Sequence, residues 1–159
     1  MSFSRNFGLP FCAVLALFVW PSTAREKEKK IHRSDLPPAV EKTVAAESVA
    51  GSTIRGFSRE QESGKVCYEA EMTVNGHSKD LLIAPDGSIV EVEEEVAFDS
   101  LSRAIQAGLQ SKAGAGKILK IESITKHGKV VAYEAMVDRN GKKSEVQVGP
   151  DGKPLDHEE

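Results

Sequence analysis

Cysteine is scarce in this chain: its 159 residues hold two, Cys12 and Cys67, too few for a scaffold built on disulfides. Aromatic residues make up 6%, with one tryptophan, which excludes a surface that stacks nucleic-acid bases. Neither sign of charge dominates. The 21 basic and 24 acidic side chains leave a net charge of −3, which excludes a domain that neutralises a phosphate backbone. No apolar run approaches the roughly 20 residues of a membrane-spanning helix. What is present, 40% hydrophobic and 28% charged residues, is ordinary for a soluble globular protein.

The longest apolar run lies near the N-terminus and has the parts of an export leader. Arg5 supplies the positive region, Phe11 to Trp20 the apolar region, and Pro21-Ser22-Thr23-Ala24 the close, with Ser22 and Ala24 as the small residues a signal peptidase requires. Residues 1–24 are therefore read as a signal peptide, and the protein as exported, periplasmic or secreted, with no membrane span once the leader is removed. Cys12 sits inside the run and follows Leu9-Pro10-Phe11, which lacks the small residue of lipoprotein processing. Cys67 is then the only cysteine of the mature chain. A buried inert thiol is the expectation, and a free or intermolecularly paired one the alternative.

The strongest pattern in the remainder is an internal correspondence at an offset of 65 residues. From Tyr68 to Gly87 and from Tyr133 to Gly152, eight of 20 aligned pairs are identical: Tyr, Glu, Ala, Asn, Gly, Pro, Asp and Gly. The same offset lays Leu36, Ala39, Val40 and Val44 on Leu101, Ala104, Ile105 and Leu109. Val40 with Val44, and Ile105 with Leu109, predict one narrow helical stripe each. Ser34-Asp35 and Asp99-Ser100 offer caps for the helix starts, and Gly51 and Gly114 or Gly116 the stops. The period then changes to two: Val66, Tyr68, Ala70, Met72 and Val74, and later Val131, Tyr133, Ala135 and Val137, predict half-buried strands. Asn75-Gly76 and Asn140-Gly141 predict hairpins, because both positions of that turn need positive φ. Pro85-Asp86-Gly87 and Pro150-Asp151-Gly152 predict second turns. A last strand is expected at Ile89 to Val92 and a shorter one at Leu155 to His157.

The expected fold is thus α+β: two tandem helix-plus-antiparallel-meander units, 34–98 and 99–159, packing their helices on one face of a shared sheet. Units of this size hold too little core to stand comfortably alone. The charged stretch 25–33 before them reads as a disordered tether.

These residues resemble the PepSY and PepSY-like domains of exported bacterial proteins, whose tandem copies are similar in fold to the beta-lactamase inhibitory protein. The resemblance rests on Leu-Pro-x-x-Val at Leu36 to Val40, Gly-Lys-Val-x-Tyr-Glu at Gly64 to Glu69, the Asn-Gly hairpin, and Pro-Asp-Gly followed by Ser88-Ile89-Val90. The second copy departs from it at Leu101-Ser102 and at Ala113 to Gly116. The resemblance implies an exported, non-catalytic module that binds or restrains an envelope protein, a peptidase in particular. It carries no site residue with it.

Chemical motifs are otherwise wanting. Gly116-Lys117 lacks the first glycine and the hydroxyl residue of a phosphate loop. His32, His77, His127 and His157 have no ligand spacing, and no nucleophile pattern is present, so no catalytic residue, cofactor or metal site is assigned. Glu91, Glu93 and Glu95 alternate along one predicted strand and share a face, with Glu94 on the other. This acidic edge is the candidate partner-binding surface. A cation or small-ligand sensor using the same three carboxylates is the alternative function.

Overall fold

The computed structural model describes residues 26–62 and 64–159. The expected leader, residues 1–24, lies outside them. Eight strands occur in chain order: β1 (Glu26–Ile31), β2 (Ser52–Glu62), β3 (Lys65–Val74), β4 (His77–Ile83), β5 (Ile89–Glu95), β6 (Lys117–Lys126), β7 (Lys129–Arg139) and β8 (Lys142–Val148). Helix α1 (Pro38–Glu47) stands between β1 and β2, and helix α2 (Arg103–Ala113) between β5 and β6. All strands pair with their sequence neighbours, antiparallel, in one sheet of order β1 to β8.

This corrects the expected pair of tandem helix-plus-meander units. The backbone ladder is unbroken from β1 to β8, and β5, read as the last strand of a first unit, pairs with β4 on one side and β6 on the other. The physical reason is that a meander ending at β5 would leave a row of N–H and C=O groups unpaired, and β6 satisfies them. The charged stretch expected to be a tether is strand for the same reason: β1 covers the outer edge of β2, with Ile31 opposite Phe57. The strand expected at Leu155 to His157 is absent; residues 153–159 form neither strand nor helix.

The local signals act where torsion angles demand them. Asn75 and Gly76, and Asn140 and Gly141, all have positive φ, and His127-Gly128 makes a third turn of the same kind that the sequence reading did not pick out. Helix α2 starts at Ser102, whose Oγ accepts from the Ile105 N–H at 3.3 Å, and stops at Gly114 with φ +59°. Helix α1 starts without a side-chain cap, on Pro37-Pro38, while Asp35 closes a 3-10 turn by accepting from the His32 N–H.

The apolar stripes of both helices face the same side of the sheet, but they build two clusters. Leu36, Val40 and Val44 pack with Phe57, Ala70, Met72, Leu81 and Ile83. Ile105, Leu109 and Ala113 pack with Ile121, Ala135, Val137 and Val148. Each helix is pinned to the turn behind its cluster. Thr43 Oγ1 donates to the Gly87 carbonyl at 2.6 Å. At the matching place on α2 stands Gly108, where a Cβ would lie 2.1 Å from the Gly152 carbonyl oxygen. Mid-helix glycine ordinarily loses about 1 kcal/mol relative to alanine. Here the sign reverses: Gly108→Ala is expected to destabilise by about 1–3 kcal/mol, read from chemical denaturation, because backbone must move to admit the methyl group.

Candidate functional site

With both helices on one face, the alternate residues of every strand point to the other, which neither α1 nor α2 covers. Opposite residues of antiparallel strands share a face. The registers Glu69 with Leu82, Leu82 with Glu91, Asp80 with Glu93, Glu93 with Ile124, and Glu122 with Glu134 therefore assemble one surface across β3 to β7. The sheet curls over it. Glu60 on β2 and Glu91 and Glu93 on β5 line a single small cavity with Glu69, Asp80 and Leu82. Ser58, Cys67, Ile124 and Ala132 on this face are also buried.

The surface is acidic, and its carboxylates are held from the rim inward. Arg55 Nη2 donates to Asp80 Oδ1 at 2.8 Å, and the Met72 N–H donates to the same oxygen at 3.2 Å. Lys120 Nζ and Ser78 Oγ donate to Glu122 Oε1 at 2.7 and 2.8 Å. Lys126 lies 3.2 Å from Glu91 Oε2. Ser58 Oγ donates to Glu69, and Gln147 Nε2 to Glu134, both at 2.8 Å. Burial pushes the Asp80 and Glu69 carboxyls up, against the Arg55 charge in the first case and the Ser58 hydrogen bond in the second.

Glu93 sits in the middle. Burial pushes its pKa from the ordinary 4.5 up to about 9, and the hydrogen bond to Glu91 and the charges of Glu134, Glu91 and Glu122 push the same way. Glu93 therefore keeps its proton to higher pH than an exposed glutamate does, and its hydrogen bond with Glu91 goes with that proton. One oxygen each of Asp80, Glu93 and Glu122 lie within 4.8 Å of one another, and those of Glu28, Glu69 and Glu71 form a second such group toward β1. The first group has the oxygen chemistry of a hard cation site, and offers three ligands where calcium takes six to eight.

The three glutamates marked in the sequence share this face, but β5 lies in the middle of the sheet, so they form part of a floor. Glu91 and Glu93 are in the cavity. Glu95 is at its rim, held low by the Ser78 N–H at 3.0 Å, with the His77 ring 3.3 Å away. Glu94 is on the helix side, paired with Lys79, which also bonds Glu47. Sequence reasoning missed Glu60, Glu69, Asp80, Glu122 and Glu134. The Asn75-Gly76 turn carried a usable signal for one pair, since closing it fixes Glu71 opposite Asp80. Cys67 is also on this face, opposite Glu60, and buried.

Two expectations follow. Between pH 4.5 and about 9 the folded chain holds a proton on Glu93 that the unfolded chain has lost, so stability falls as pH rises through that window, by at most about 1.4 kcal/mol per pH unit. Glu93→Gln removes this slope: thermal denaturation is expected to show stabilisation that is larger at pH 8 than at pH 5. The Cys67 thiol is pushed up by burial first and by Glu60 and Glu62 next. It is expected to be silent to a disulfide reagent in the native chain at pH 8 and to react fully in denaturant.

No protein-family model and no curated protein matches the chain. Solved structures do. A candidate periplasmic protein from Bacteroides eggerthii aligns with a TM-score of 0.59 at 16% identity, over 76% of this chain and 86% of its own. A DUF2874 family protein from Bacteroides ovatus aligns with a TM-score of 0.56 at 17% identity, over 76% of this chain and 84% of its own. At these identities what is shared is the fold.

Proposed function

We propose that this chain is an exported, non-catalytic binding module of PepSY-like type whose acidic sheet face, turned away from α1 and α2, receives a basic segment of an envelope protein. One observation carries the reading: half-buried Glu93 stands at the centre of a face where Glu91, Glu122 and Glu134 converge, and burial and these neighbours push its carboxyl up. Such a centre takes up positive charge readily, because an arriving cation replaces the proton and relieves repulsion among Glu91, Glu122 and Glu134 at once. The leader-like residues 1–24 and the periplasmic description of a structural neighbour support export. No helix among the described residues is long and apolar enough to cross a membrane. The resemblance to PepSY domains supports a protein partner, a peptidase among the candidates.

A second reading has its own observation. The grouping of Asp80, Glu93 and Glu122 favours a metal cation as the ligand itself, which makes the protein a cation sensor. Calorimetry separates the two. The chain is titrated with a lysine-rich nonapeptide and, separately, with calcium chloride, each in two buffers of different ionisation enthalpy. Peptide binding with release of a proton, weakened about tenfold or more by a Glu93→Gln, Glu122→Gln double change, is the expected result. Heat with calcium alone, lost in the same variant, selects the sensor. Silence with both ligands to millimolar concentration overturns the acidic face as the site.

A further inference from the structure

The sheet has two outer edges, and one of them carries the outline of a missing strand. Strands β4 and β8 correspond end to end at the offset of 65, and so do the turns that follow them. Ala84 N–H donates to the Ser88 carbonyl and Gly87 N–H to the Ala84 carbonyl, both at 2.9 Å; Gly149 N–H donates to Lys153 and Gly152 N–H to Gly149, both at 2.8 Å. After the first turn the chain enters β5 and covers the outer edge of β4, with Lys79 opposite Glu94 and Leu81 opposite Val92. After the second it does not. Pro154 stands in the place of Ile89 and has no N–H to give. The tail instead crosses the acidic face, where the Glu159 N–H donates to Gln147 Oε1 at 2.9 Å and its carboxylate lies 3.4 Å from Lys126. Among the described residues no strand pairs with the outer edge of β8, and Lys142 to Glu145 are exposed.

We infer that the outer edge of β8 is a docking site for an added strand, and that its occupant is an extended segment of a partner protein with an acidic C-terminal end. An unpaired edge offers main-chain groups for strand addition. The β4–β5 pair shows what the occupant meets. There Glu95 accepts from the Ser78 N–H and lies beside the His77 ring. The residues matching His77 and Ser78 on β8 are Lys142 and Lys143, two exposed cations at the place where the incoming strand carries its carboxylate. Val146 matches Leu81 and calls for an apolar residue at the position of Val92, and Glu145 matches Asp80 and calls for a neutral one at the position of Glu93. Strand β1 of a second copy fits the geometry, since it lies on β2 as β5 lies on β6, but it brings Lys30 to the place of Glu95, against Lys142 and Lys143. Charge thus selects an acidic strand over a second copy.

The probe is a fluorescent peptide of residues 87–97 of this chain carrying Glu93→Gln. Saturable anisotropy is expected with the full chain, weakened at least about tenfold by Lys142→Glu, Lys143→Glu in the protein. A peptide with Glu95→Lys should lose affinity to a similar extent without any change to the protein, and amide exchange should slow at residues 143–147. The inference is overturned by absence of binding to millimolar protein, by equal affinity of the charge-reversed pair, or by sedimentation showing that the chain already associates through this edge. The acidic face does not enter these outcomes, since a peptide of net negative charge is repelled by it.

Discussion

Everything in this molecule hangs on the double pairing of β5. It closes the ladder to β4 through the five residues 84–88 and to β6 across the whole length of α2, and so makes one sheet where the chain has material for two small ones. Neither half holds a large core. The eight residues of one buried cluster and the seven of the other are modest, and these buried side chains do not join the two. The backbone does that work instead. Hydrogen bonds across β4, β5 and β6 link the two patches of apolar burial in one sheet.

The same pairing creates the acidic face. Antiparallel register fixes which residues are neighbours, and β5 brings Glu91 and Glu93 between Leu82 and Asp80 on one side and Ile124 and Lys126 on the other. Curling of the sheet then takes these carboxylates partly out of water, Glu91 most of all. Such burial costs free energy unless charge is compensated. The compensation comes from Arg55, Lys120 and Lys126, all of which reach in from the periphery, so the central carboxyl is compensated by a proton.

Legibility in the sequence followed the range of the forces involved. Val40, Val44, Ile105 and Leu109 are buried as their spacing implied, and the Asn-Gly turns have the torsion angles their chemistry requires, because both are decided within a few residues. Strand β1 was illegible. Five of its six residues are charged, Ile31 alone is apolar, and it is strand only because β2 has an edge to cover. The common face of Glu91, Glu93 and Glu95 followed from a period of two. Their meeting with Asp80 and Glu122 did not, because it depends on pairings made across a turn and a helix, and on bulges such as that between Leu82 and Ile83 that shift register by a residue.

Placement of charge also explains why the two sides of the sheet answer differently to a change of conditions. The helix-covered side is mainly apolar, and it carries Lys79 between Glu47 and Glu94. The open side has its ion pairs arranged as a ring, with Asp80, Glu91 and Glu122 each touching a cation and Glu93 touching another carboxyl. Screening by salt weakens the rim pairs, which are partly exposed, more than it weakens repulsion in the buried centre. Loss of the rim leaves the centre more negative and holds the Glu93 proton more firmly. The ring and the centre are therefore coupled: a change at Lys120 or Lys126 is felt at Glu93 through Glu122 and Glu91.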